Sequence, residues 1–208
     1  MTEEDARTWI GEQFGPEAIE RLDHYAALLT VESDQQNLIA ASTLPQLWTR
    51  HLADSAQLVT FAPRPTEGIW LDIGSGAGLP GLVVALVSDW TVHLVEPRRL
   101  RAEFLQRAAV ELGITDRVTV SQAKSTQVRL PRPAAVISAR AVAALPQLIA
   151  SAAHLADAGT LWVLPKGSRA QSEVADARRS WQGVFHVKQS LVDPESGIVV
   201  ASRIAPRR

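Results

Sequence analysis

The sequence predicts an α/β fold, a mostly parallel sheet of seven strands that ends in an antiparallel hairpin and is preceded by a helical extension. Three observations predict it. From residue 69 onward, short apolar runs alternate with helical patterns, and that alternation means parallel strands covered on both faces. The first run, Ile69-Trp70-Leu71-Asp72-Ile73, leads into glycines at 74, 76, 78 and 81. A strand, a glycine-rich turn and a helix start make a nucleotide-binding architecture. The last two strand patterns are joined only by Asp193-Pro194-Glu195-Ser196-Gly197, too short for a crossover, so they pair as a hairpin.

Residues 3–60 read as helical, and a helical subdomain is expected over 1–62. Gly15-Pro16 separates a first amphipathic segment (Trp9, Ile10, Phe14) from a second with Ile19, Leu22, Ala26 and Leu29 on one face. A third helix is expected from Thr43, a suitable N-cap, because Leu44, Leu47, Trp48, His51, Leu52 and Ser55 recur at helical spacing. Residues 61–68, rich in proline and polar groups, read as a linker, and the second unit spans 66–208. Strands are expected at 69–73, 91–95, 117–121, 134–139, 159–164, 184–190 and 197–203. Helices are expected near 79–88, 97–112, 141–156 and 169–181. The 97–112 helix is sharply delimited: Pro97 opens it, Gly113 closes it, and Leu100, Phe104, Leu105, Ala108 and Leu112 share a face.

Composition bounds the function. A chain of 208 residues, 46% hydrophobic, fills one α/β core with an appendage. A net charge of −1 excludes a globally basic nucleic-acid binder, so nucleic acid would meet a local basic patch or a partner that supplies affinity. The absence of cysteine removes disulfides, thiolate zinc sites and cysteine nucleophiles, and it suits a reducing cytoplasm. The acidic start Met1-Thr2-Glu3-Glu4-Asp5 does not read as a signal peptide. No apolar run reaches the roughly 20 residues of a membrane span. A cytoplasmic monomer with no metal and no membrane association is expected.

The glycine loop has two candidate ligands. Gly76-Ala77-Gly78-Leu79-Pro80-Gly81 fits the dinucleotide pattern G-x-G-x-x-G, and Glu96 ends the second strand where a ribose would be held. Against a nicotinamide cofactor, the glycines begin earlier, at Gly74, Pro80 removes an N–H where a pyrophosphate wants one, and the hairpin ending is foreign to a six-strand parallel dinucleotide fold. S-adenosylmethionine has no phosphate. It needs a glycine turn for close approach, an acidic residue for the ribose diol and polar groups near its amino-acid end. Asp72, Gly74, Gly76, Gly78 and Glu96 supply these, and S-adenosylmethionine is the preferred reading.

With these residues in view, the chain resembles the 16S ribosomal RNA (guanine-N7) methyltransferases, also called the glucose-inhibited division protein B family. The resemblance covers residues 30–203. It is carried by Asn37-Leu38-Ile39, Arg50-His51-Leu52-Ala53-Asp54-Ser55, Leu71 to Gly81, Glu96 to Leu105, Ile137-Ser138-Ala139-Arg140-Ala141 and Leu164-Pro165-Lys166-Gly167. It implies a Rossmann-like, class I S-adenosylmethionine-dependent methyltransferase fold. It implies cofactor contacts at Gly74, Leu79, Ser125, Thr126 and Arg140, and methylation of N7 of a guanine in the 530 loop of 16S rRNA, within the small ribosomal subunit. One departure stands out: family members usually carry an acidic residue where this chain has Thr126. A backbone contact there survives the change, whereas a side-chain contact to the adenine is weakened. Other readings of the same sheet are a methyltransferase of another RNA or of a small molecule, and an NAD-dependent oxidoreductase.

Beyond the loop, Arg140 follows an apolar strand at the edge where open sheets bind ligands, and Lys166 follows the fifth strand at the same edge. Both are expected to position substrate. His51 has two readings, a satisfied core histidine or, through the resemblance, a residue facing the cofactor pocket. Arg50, Arg98, Arg99 and Arg101 read either as solvated charge or as contacts to RNA phosphate, with Lys166 as a further RNA contact. Arg203, Arg207 and Arg208 carry little weight. Guanine N7 carries a lone pair and no proton, so no general base is expected at any of these positions.

Overall fold

A computed structural model describes residues 1–64 and 68–207. Pro65-Thr66-Glu67, the centre of the expected linker, and Arg208 lie outside the described residues. Helix α1 (Glu3–Phe14) starts with a reciprocal cap between Thr2 and Asp5. Gly15 closes it and Pro16 opens α2 (Pro16–Gln36). The expected third helix is broken. A 3-10 segment over Ala41–Gln46 contains Pro45, a π-turn spans Trp48–Ala53, a single α-turn (α3, Asp54–Ala56) follows, and a 3-10 turn covers Gln57–Phe61. Glu3 of α1 accepts hydrogen bonds from the N–H groups of Trp48 (2.9 Å) and Thr49 (2.8 Å), so a side chain from outside satisfies the start of the π-turn.

The sheet has seven strands in the order β3-β2-β1-β4-β5-β7-β6. These are β1 (Ile69–Ile73), β2 (Thr91–Val95), β3 (Val118–Ser121), β4 (Val136–Ser138), β5 (Leu161–Gly167), β6 (Trp181–Gln189) and β7 (Gly197–Pro206). The first five are parallel; β7 runs antiparallel between β5 and β6. The predicted hairpin is present, and its second strand, not its first, joins the parallel set.

Crossovers are α4 (Gly81–Val87), α5 (Arg99–Glu111), α6 (Leu145–Ala152) and α7 (Ala170–Ser180). Strand side chains alternate between two apolar clusters. Trp70, Val92 and Val136 face α4, α5 and the N-terminal helices, whereas Leu71, Ile137 and Trp162 face α6 and α7. Leu22, Tyr25 and Leu29 of α2 belong to the same cluster as Trp70 and Leu82, so the helical extension shares the core of the sheet.

Two helices depart from expectation. The segment expected to be helical over 141–156 stays a loop until Leu145, because Ala141 sits at φ 55° and Ala144 is extended; Pro146 then falls in the first turn of α6, where its missing N–H costs nothing. Leu100, expected on the core face of α5, is 53% exposed in the first turn of the helix, before the apolar face reaches the sheet.

Candidate cofactor and acceptor site

The order of strands reverses between β1 and β4, which places a crevice at the carboxyl ends of β1, β2 and β4. The glycine loop forms its floor. Gly78 adopts φ 95°, and a Cβ there would lie 2.5 Å from Leu82 Cδ1 and 3.0 Å from Tyr25 Oη. Only glycine fits that combination of angle and space. Tyr25 reaches from α2 and donates to the carbonyl of Ala77 at 2.6 Å, fixing the loop from behind. From below, Asp72 accepts from Ser138 Oγ (2.7 Å) and from the Gly81 N–H (3.2 Å), while Ser138 Oγ accepts from Trp70 Nε1 at 2.9 Å. Burial pushes the Asp72 carboxyl up to about 6, against the pull of these hydrogen bonds.

A cavity of about 650 Å³ opens over the loop, lined among others by Gly74, Gly76, Leu79, Glu96, Ser125, Thr126 and Arg140. Asp72 and Gly78, expected as cofactor contacts, do not line it. Asp72 is fully buried beneath the loop, and Gly78 turns toward Tyr25 and Leu82. The S-adenosylmethionine requirements are met by what remains. Glu96, 3% exposed, accepts from Gly76 N–H (2.9 Å) through Oε2 and from Arg98 N–H (2.8 Å) through Oε1. Each oxygen keeps a lone pair for a diol. A Cβ at Gly76 would meet no atom closer than 3.7 Å, so the loop leaves room above it. Thr126 lies in a short 3-10 turn, Ser125–Gln127, at the rim, with Arg129 donating to its carbonyl at 3.2 Å.

Arg140 stands at the wall between this cavity and a second of about 550 Å³, which also takes in Asp54 and Lys166. Its contacts run through Nη1: Asp54 Oδ2 at 3.6 Å, His51 Nδ1 at 3.3 Å and the Arg50 carbonyl at 3.4 Å. His51 is buried. Thr43 Oγ1 donates to the Ala40 carbonyl, so the network assigns the His51 proton to Nε2, donating to Thr43 Oγ1 at 2.8 Å. Nδ1 is then an acceptor facing the guanidinium. Burial, then the charges of Arg140 and Arg50, lower its pKa to about 4 and keep the ring neutral. Both readings of His51 meet here: it is a satisfied, buried histidine, and it touches Arg140.

The Lys166 side chain is 7% exposed and is engaged by the Ala143 carbonyl (2.7 Å) and Glu173 (3.0 Å). Glu173 also accepts the Leu145 N–H at 2.8 Å, so the pair braces the loop that carries Arg140. Arg98 and Arg101 line the first cavity and make no ion pair among the described residues. Arg99 pairs with Glu103 at 2.6 Å on the solvent side. Arg50 lies beside a third cavity near the N-terminus. Arg207 is tied back to the Arg178 carbonyl at 2.7 Å.

Sequence reasoning missed Tyr25 and the contact of Asp54 with Arg140. Tyr25 had a signal, since it falls between Leu22 and Leu29 on the apolar stripe of α2. The Asp54–Arg140 contact had none, because it joins segments 86 residues apart. Among the described residues, no cluster of His, Asp or Glu is suited to hold a metal ion. No helix there is long and apolar enough to cross a membrane.

A seven-stranded sheet of this order, with a glycine turn after β1 and an acid after β2, defines the class I S-adenosylmethionine-dependent methyltransferases. Solved structures share the fold. One is a glycopeptide N-methyltransferase, MtfA, complexed with S-adenosylmethionine (TM-score 0.59, 12% identity, 71% of this chain and 86% of that one). Another is a Thiobacillus denitrificans methyltransferase in complex with S-adenosylhomocysteine (TM-score 0.53, 12% identity, 74% and 91%). The sheet therefore sets aside the dinucleotide reading of the glycine loop.

Residues 18–196 match the family GidB, rRNA small subunit methyltransferase G. Relatives named ribosomal RNA small subunit methyltransferase G include those of Sphingopyxis alaskensis (47% identity, 99% of this chain and 89% of the relative) and Rhizorhabdus wittichii (46%, 100% and 95%). The chain belongs to the rRNA small subunit methyltransferase G family.

Proposed function

We propose that this chain methylates small-subunit ribosomal RNA, transferring a methyl group from S-adenosylmethionine to N7 of a guanine in the 530 loop. It acts on the small ribosomal subunit, in the cytoplasm, as a monomer without a metal. The observation that carries the reading is Arg140, a cation on the wall shared by the cofactor cavity and the cavity beside it. When bound, S-adenosylmethionine supplies an electrophilic methyl group on a sulfonium. Guanine N7 presents a lone pair with no proton to remove, so the acceptor needs orientation and no base. Arg140 suits that demand: a guanidinium donates hydrogen bonds and takes no proton. The neutral His51 ring holds it without competing for a proton. Glu96 and the loop N–H groups hold the cofactor at one side of Arg140, and catalysis comes from alignment.

N7 lies on an edge closed off in A-form RNA, so the target base leaves its stack to reach the cavity. Arg98 and Arg101 meet phosphate at the mouth of the cofactor cavity, and Arg50 does so beside the third cavity. With a net charge of −1, the folded subunit supplies much of the remaining affinity. Mass mapping of methylated nucleotides in 16S rRNA from cells with and without the protein tests this directly. One 7-methylguanine disappears without it; an unchanged map, or loss of a different modified base, rejects the assignment. Purified protein is expected to methylate subunits faster than naked fragments.

A further inference from the structure

The second cavity, of about 550 Å³, adjoins the cofactor cavity through Arg140, Ala141, Val142 and Ala143. We propose that it receives the guanine base itself and that Asp54 reads the Watson–Crick edge of that base. The inference rests on the guanine-N7 reading above and extends it to base selection.

Asp54 opens the single turn α3, and its carboxylate is held in place before any ligand arrives. Oδ1 accepts from Gln57 Nε2 at 2.9 Å. Gln57, 2% exposed, is itself fixed by Ser190 Oγ (3.1 Å) and the Leu191 N–H (2.8 Å) at the β6–β7 connection. Oδ2 has Arg140 at 3.6 Å, beyond hydrogen-bonding distance, and keeps its acceptor capacity on the cavity wall. Of the neighbouring charges in this cavity, Lys166 and Glu173 pair with each other at 3.0 Å, and Arg169 is a further cation on the lining.

The order of these groups matches the order of atoms around guanine. Going round the base from the Watson–Crick edge, two donors (N2–H and N1–H) come first, then the O6 acceptor, then N7. Along the protein, the acceptor Asp54 comes first, then the donor Arg140, then the cofactor cavity. A base with its donors on Asp54 and O6 on Arg140 directs N7 at the cofactor. Adenine turned the same way sets its N1 lone pair against the carboxylate and its amino group against the guanidinium. Both contacts become repulsive, and such mismatches discriminate more strongly than shape.

The test uses the whole protein and reconstituted small subunits that carry either guanine or inosine at the target, because inosine lacks only the 2-amino group. On guanine, Asp54→Asn is expected to lower kcat/KM about 10- to 100-fold, the range for a lost hydrogen bond to a charged group. Inosine is expected to cost wild type a similar factor and the variant almost nothing more. Losses that simply multiply mean that Asp54 acts through Arg140 alone, and they overturn the proposal. So does a wild-type enzyme that methylates inosine as fast as guanine, a result independent of whether the variant folds. Unchanged S-adenosylhomocysteine affinity and unfolding midpoint certify the variant. If wild type forms 7-methylguanine but Asp54→Asn matches its rate, only this inference fails. If the wild-type product is another methylated nucleotide, the N7 reading fails as well.

Discussion

Asp72 gives the fold a pH dependence of defined sign. Its carboxyl is fully buried under the glycine loop, and its pKa is pushed from 3.8 up to about 6, chiefly by burial. The folded state thus holds this proton more tightly than the unfolded chain does. Stability from this group is fully present below pH 3.8 and is lost as pH rises through about 6. A shift of two units at 1.36 kcal/mol each amounts to about 3 kcal/mol. Asp72→Asn removes the titration and keeps the shape, at a constant cost, because one amide face opposes either Ser138 or the Gly81 N–H. The assay is urea unfolding of both proteins across pH. Subtracting the curves cancels other titrations, including that of His51, which runs the opposite way: its pKa is lowered to about 4, so it withdraws stability as pH falls below 6.5. The wild-type advantage over Asp72→Asn is expected to grow by roughly 2 kcal/mol from pH 8 to pH 4.5, most of the full effect. A difference flat to within about 0.5 kcal/mol refutes the claim that the native carboxyl is buried at a cost.

Three further outcomes follow from the contacts around the loop. Tyr25→Phe leaves the Ala77 carbonyl without its buried donor; it is expected to lose about 1–3 kcal/mol in urea unfolding and to weaken S-adenosylhomocysteine binding by calorimetry. Lys166→Met strands Glu173, 12% exposed, and is expected to cost about 3–5 kcal/mol in the same unfolding assay; adding Glu173→Gln should recover part of it. Arg140→Ala is expected to slow single-turnover methylation of small subunits about a hundredfold, and an unchanged rate removes Arg140 from the mechanism.

The parallel part of the fold was legible because its signals are local. Ile69 to Ile73 is apolar apart from Asp72 and buried at every position, as a central strand covered on both faces is, and the 193–197 turn is too short for anything but a hairpin. The boundaries that failed depend on distant atoms. The segment after Thr43 has helical spacing, yet Pro45 and the capping of Trp48 and Thr49 by Glu3 break it into 3-10, π and α turns. Spacing registers the apolar face and not the partner that competes for the backbone. Leu100 shows the converse: its position in the repeat is right, but the helix begins before there is a sheet beneath it.

The candidate site divides along the same line. Gly74 and Glu96 were placed at the ligand edge by the strand–turn–helix itself and Leu79 by the family resemblance, and all three line the cavity. Asp72 sits in that motif too, and it was assigned to the cofactor because a carboxylate next to glycines resembles a ligand. Its burial became visible only with Ser138, on a strand 66 residues away. Lys166 adds a partner that the sequence did not show: a lysine at the ligand edge reads as a substrate contact, and on the wall of the second cavity it also pairs with Glu173, seven residues on. Arg140 is the reverse case. Its sequence context offers only a residue after a strand, whereas its contacts with His51 and Asp54 place it where two cavities meet. All three contacts lie at 3.3 to 3.6 Å and run through one nitrogen. A guanidinium held that loosely can turn toward a base without breaking a strong bond, whereas Lys166, already held at 2.7 and 3.0 Å, cannot. Between Arg140 and Lys166, Arg140 is therefore the one able to turn and orient the acceptor.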